Sequence, residues 1–152
     1  VTVPGHTGVI EVRDGTLYMA IGVRNAGAGL AVIHGWHARP GPGPGEFRPG
    51  IGVEHPVDPA EFRRQTRDLY IPAGDSGFWQ GAIRDQDDQA LRALVEAKRA
   101  KARILIDLLY GDYQGGQRTV VRFSINPDEE RGLRDASVVR YWNVDGDDPR
   151  AA

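Results

Sequence analysis

The sequence predicts a mainly β fold, an antiparallel sandwich of two sheets, on three observations. Leu17, Met19, Ile21 and Val23 alternate with Tyr18, Ala20, Gly22 and Arg24, the period of two that marks a strand with one face in a core. The same alternation returns late in the chain, where Ile104, Ile106, Leu108 and Tyr110 share one face and Thr119, Val121, Phe123 and Ile125 another. Between these regions only one stretch has helical periodicity, so no strand-helix-strand rhythm develops.

Taken in order, residues 9–12 read as a short edge strand before the turn Asp14-Gly15. Residues 17–24 and 30–37 read as two strands joined by Asn25-Ala-Gly-Ala-Gly29, a connection rich in residues that tolerate positive φ. Residues 39–58 then form an irregular insertion, because repeated Pro-Gly pairs support neither a ladder nor a helix. Residues 59–64 suggest one helical turn, and residues 68–72 and 78–84 two more strands. In the second of these Phe78 and Trp79 are adjacent, which leaves open which ring points inward.

Residues 85–102 carry the helix. Asp85, Asp87 and Asp88 suit its positive end, Lys98, Arg99 and Lys101 its negative end, and Leu91, Leu94 and Val95 form a narrow apolar stripe. Gly111-Asp-Tyr-Gln-Gly-Gly-Gln117 is a hairpin loop, and residues 137–144 supply the final strand. Seven or eight short strands with one capping helix match an immunoglobulin-like arrangement.

At 152 residues the chain makes one full core, so residues 1–152 form a single domain carrying the insertion at 39–58. A net charge of −2 with interspersed signs gives no general reason to bind nucleic acid or anionic lipid. Lysine occurs only at Lys98 and Lys101 among many arginines, a codon bias of GC-rich bacterial genomes. The absence of cysteine removes disulfides, thiolate metal sites and thiol nucleophiles, and leaves the compartment open. No apolar run approaches the ~18 residues of a membrane helix. A start at Val1 without leader reads as a trimmed product, with any anchoring segment outside this chain.

Candidate chemistry is sparse. On a regular strand His34 and Trp36 point one way and His37 the other, so the two imidazoles converge only if the strand bulges. Asn143-Val-Asp145-Gly-Asp147-Asp148 resembles the start of a calcium loop but lacks room for the closing Glu. Asp107 or Asp112 with His34 or His37 would be the pairs for a small hydrolase. No nucleophile elbow or phosphate loop is present, and neither a catalytic residue, a metal nor a cofactor is assigned. Trp36, Trp79 and Tyr113 are candidates for stacking against sugars, although for any single Trp the core-anchor reading is the favoured one.

Three segments carry a resemblance: Ile21-Gly-Val-Arg-Asn25-Ala-Gly-Ala-Gly-Leu-Ala31, Leu69-Tyr-Ile-Pro-Ala-Gly74, and Ile106-Asp-Leu-Leu-Tyr110-Gly-Asp112 before Gly115-Gly-Gln-Arg-Thr119. Together the chain resembles small extracytoplasmic β-sandwich domains of uncharacterised bacterial proteins, often attached to N-terminal membrane helices. The resemblance implies an extracytoplasmic module, bound to the membrane only through segments absent here, and it transfers no catalytic residue. The expectation is a non-enzymatic binding or interaction module with a protein or glycan partner. Its candidate binding residues are Trp36, His37, Trp79, Tyr110, Asp112 and Tyr113, with the insertion and the hairpin loop as its surfaces. A carbohydrate-binding module and a small hydrolase are the rival readings.

Overall fold

The computed structural model describes residues 7–25, 27, 29–42, 56–112, 116–127 and 134–145. Eight strands among them form two antiparallel sheets. The first sheet holds β1 (Gly8–Arg13), β2 (Thr16–Arg24) and β5 (Ser76–Ile83) in the order β1-β2-β5. The second holds β3 (Ala31–Pro40), β4 (Arg63–Ile71), β6 (Ile104–Gly111), β7 (Thr119–Ile125) and β8 (Ala136–Asn143) in the order β4-β3-β6-β7-β8.

The alternation of β2 is realised as predicted: Leu17, Met19, Ile21 and Val23 are buried against the opposite sheet. Ile104, Ile106 and Leu108 of β6 and Val121, Phe123 and Ile125 of β7 supply the facing layer. Trp36 of β3 and Trp79 of β5 meet edge-on across the two sheets, with ring centroids 5.3 Å apart. The Trp79 ring lies over Gly81, where a Cβ would stand 2.7 Å from it. Glycine is therefore the residue that lets the indole lie flat along β5.

β2 and β3 are not hairpin partners, although they are joined by a short glycine-rich connection. That connection is a crossover between sheets, and Asn25 holds it. Its side-chain amide donates to the carbonyls of Gly29 and Ile71, and its Oδ1 accepts from the Gly27 N–H. Its backbone N–H donates to Asp75 and its carbonyl accepts from Gly74. The crossover and the β4–β5 turn are thus one hydrogen-bonded unit, with Gly74 supplying the positive φ of 81° that the turn needs.

The helix α1 runs Gln89–Arg99, shorter than the 85–102 expected. Asp88 is its N-cap, accepting from the Ala90 N–H, while Asp85 accepts from Asp87 in a preceding turn. The acidic run is therefore spent on the turn and cap rather than inside the helix. Leu91, Leu94 and Ala97 face the core. Lys101, at φ 56°, lies beyond the helical end. The turn expected at 59–64 is a single 3-10 turn, Pro59–Glu61, capped by Asp58.

Two strand boundaries move furthest. β4 begins at Arg63, not at residue 68, and β3 continues to Pro40, into the region read as insertion. Gly41 N–H donates to the Arg103 carbonyl at 2.7 Å and Arg103 N–H to the Pro42 carbonyl at 3.0 Å. Residues 43–55 of the insertion lie outside the described residues.

The outer face of the second sheet is also buried, at Val32, Leu105, Asp107, Leu109, Val120, Arg122 and Ser124. By alternation Asp107 does point away from the sandwich core. It is 2% exposed and gripped by Arg122, whose Nε and Nη2 donate to its two oxygens at 2.7 and 2.8 Å. The ring of Trp142 lies 4.6 Å from that guanidinium. A fully paired, two-point fork is the form in which charges tolerate this burial.

Candidate binding groove

β4 and β5 are both edge strands, and the open side of the sandwich lies between them. β4 reaches across it through an irregularity in its pairing. Ile33 pairs with Leu69 and Gly35 with Arg64, so residues 65–68 of β4 stand opposite His34 alone. This bulge swings Gln65 toward β5. There its Oε1 accepts from the Trp79 indole N–H at 3.3 Å, and its Nε2 donates to the Gln80 carbonyl at 3.4 Å. The buried indole gains the partner that a buried N–H requires.

The bulge leaves a groove of about 990 Å³ beside β5. Tyr18, Ala20, Phe78, Gln80 and Ala82 line it from the outer face of the first sheet; Arg63, Arg64, Arg67 and Asp68 line it from β4. Arg13 and Arg84 complete the wall, so the lining holds five arginines against one acid, Asp68. Arg63 is committed to Asp88 at 2.8 Å and lies over Trp36. Arg13 and Arg84 flank the Tyr18 ring at 4.8 and 5.7 Å, and Arg13 also meets Glu11. Arg64 and Arg67 are exposed and form no ion pair among the described residues. Phe78, 67% exposed, stands among them as a large apolar side chain.

A smaller cleft of about 520 Å³ opens on the other side of β4, lined by His34, Arg64, Asp68, Tyr70, Asp112 and Arg118 among others. Burial holds the His34 imidazole below its ordinary pKa, partly offset by Asp68. Its Nε2 is buried without a hydrogen-bond partner.

The bulge between Ile33 and Gly35 resets the alternation of β3, so Trp36 and Ala38 join the core. His37 stands cross-strand from Asp107 and 6.0 Å from the Phe62 ring. Desolvation also depresses its pKa, and its Nδ1 has no partner. The predicted binding residues are thus dispersed. Trp79 is fully buried and Trp36 is 5% exposed at the groove's base, so neither offers a face to a sugar. Tyr110 packs against the core. Asp112 closes the β6–β7 hairpin, accepting from the Gly116 N–H at 2.9 Å and donating its own N–H to the Gly116 carbonyl. Tyr113 lies outside the described residues.

The other candidate chemistries are likewise used structurally. The Asp107 oxygens belong to Arg122, and Asp112 serves its turn. Asp145 accepts from the Arg118 backbone N–H and guanidinium, which bring its pKa down to about 2. At the position where the sequence suggests a calcium loop, its carboxylate is therefore paired with the Arg118 guanidinium. Among the described residues no three His, Asp or Glu side chains converge as metal ligands, and no helix is long and apolar enough to cross a membrane.

Arg64, Arg67 and Phe78 are groove residues that the sequence reading does not single out. The available signal was the Arg63-Arg64-x-x-Arg67 run, which carries no apolar alternation and reads as irregular until the edge pairing of β4 is known. No protein-family model and no curated protein sequence matches the chain.

Proposed function

We propose that this domain is a non-enzymatic binding module whose recognition surface is the arginine-lined groove between β4 and β5. The observation that carries the reading is the excess of guanidinium over carboxylate in a concave surface of a chain that is net acidic. Such local concentration of one sign inside a cleft attracts a partner of the opposite sign. The exposed Phe78 and the Tyr18 ring add apolar area beside the charges, as binding surfaces do.

The strand order, β1-β2-β5 against β4-β3-β6-β7-β8, supports an immunoglobulin-like sandwich in which the fourth strand has moved to the edge of the second sheet. The resemblance carried by the Asn25, Gly74 and Tyr110–Asp112 motifs supports an extracytoplasmic bacterial module, held at the membrane by segments outside this chain. The partner in this reading is an anionic protein rather than nucleic acid.

The test is fluorescence anisotropy with labelled acidic peptide, sulfated glycan and polyphosphate, using wild type and an Arg64→Glu/Arg67→Glu variant. Wild type is expected to bind the acidic peptide and to weaken as salt rises. The variant is expected to lose about tenfold or more in affinity, the scale of two lost charge contacts turned repulsive. No binding of any probe by folded wild type would sink the reading.

A further inference from the structure

β5 is an uncharged edge strand. From Ser76 to Ile83 it carries no Lys, Arg, Asp, Glu or Pro, the residues that ordinarily guard a sheet edge. The direction of its unpaired backbone groups follows from two hydrogen bonds. The Gln80 carbonyl accepts from Gln65 on β4, so it points away from β2. In an antiparallel strand a residue's N–H and C=O face the same side, and alternate residues repeat that side. Phe78, Gln80 and Ala82 therefore turn their N–H and C=O groups to the open edge. The Gly22 N–H agrees, since it bonds to Thr7 on the β1 side rather than to its cross-strand neighbour Phe78.

This edge borders the arginine groove. Phe78 and Gln80 are exposed, Gln65 covers one carbonyl through a long 3.4 Å bond, and Arg64, Arg67 and Arg84 stand around it. We propose that β5 receives an extended acidic peptide of a partner protein as an added strand. Its backbone bonds to Phe78, Gln80 and Ala82, and its carboxylates meet Arg64, Arg67 and Arg84. The main chain supplies the docking and the alternate side chains the selectivity, the logic of strand addition. A second copy of this chain is a poorer occupant, because β5-to-β5 pairing would bring two sets of these arginines together. The inference rests on the groove reading and adds the partner's form to it.

The experiment is amide hydrogen exchange by NMR on the wild-type domain, with and without an octapeptide of alternating Glu and Val. A Lys-Val octapeptide is the control. Saturation with the acidic peptide is expected to slow exchange at Phe78, Gln80 and Ala82 by about tenfold or more. Trp79 and Gly81, whose amides face β2, should change much less. A Gln80→Pro variant, which deletes one edge donor, should bind the peptide more weakly; if it fails to fold, the exchange data on wild type decide alone. Binding that leaves the three amides unprotected would overturn strand addition and leave the groove reading intact. Absence of binding would overturn both. Protection that grows with protein concentration in the absence of peptide would name a second copy as the occupant and overturn the proposal.

Discussion

The side-chain amide of Asn25 donates to the carbonyl of Ile71 at 2.8 Å, joining positions 46 residues apart. Asn25 is 1% exposed and uses both its Nδ2 and its Oδ1, so the bond belongs to a saturated buried polar unit. Two adjacent turns, the β2–β3 crossover and the β4–β5 turn, are held in register by one carboxamide. Since β4 and β5 form the groove, Asn25 also fixes the end of the site.

Asn25→Ala therefore strips the partner from the buried carbonyl of Ile71 and, with it, the partner of the exposed Gly29 carbonyl. The expected loss is about 2–3 kcal/mol of stability, given the cost of leaving buried polar groups unpaired. Urea unfolding at neutral pH measures it. A change within experimental error would mean that the carboxamide ties nothing together.

The Asp107–Arg122 fork makes a prediction with a built-in control. Asp107→Asn leaves a buried guanidinium without its counter-charge and is expected to cost roughly 3–5 kcal/mol. Replacing both residues, Asp107→Leu with Arg122→Met, is expected to recover most of that loss, because an apolar pair carries no desolvation penalty. Equal destabilisation of the single and double variants, measured by denaturant midpoint, would contradict this account.

Much of this architecture is legible in the residues. The strand faces of β2, β6 and β7 follow from alternation alone, and the helix from its stripe and its acidic start. What escapes a local reading depends on distant partners. Whether Asn25–Gly29 closes a hairpin or crosses between sheets is settled by which strands pair with β2 and β3. The His34 bulge is invisible until β4 is placed opposite it, and with it the inward turn of Trp36. Phe78 and Trp79 are both aromatic, so only the core across the sandwich decides that Trp79 enters. The groove was hidden for the same reason, as its arginines come from β1, from β4 and from position 84 just after β5.

Acidification is expected to weaken the fold through its histidines. Burial lowers the pKa of His34 and His37 below the ordinary value of 6.5, so the unfolded chain takes up protons more readily than the folded one. Stability should be full above that range and fall as pH drops through it, levelling off once the folded-state imidazoles are protonated. The Asp145 contribution is lost only in a separate, more acidic window, between the ordinary carboxylate range and about 2. Urea midpoints at pH 7.5, 6.5 and 5.5 check the histidine window, and a His34→Asn/His37→Gln variant should flatten it. Flat wild-type midpoints would contradict the burial of these rings.

The place where the partner binds is read out by a chemical-shift map of the ¹⁵N-labelled domain titrated with the Glu-Val octapeptide. The predicted result is a contiguous footprint on residues 63–69 of β4, on β5 and on Arg84 just after it, with Tyr18 at its border. A footprint on the β6–β7 hairpin or along β8, leaving β4 and β5 unmoved, would contradict binding at the groove.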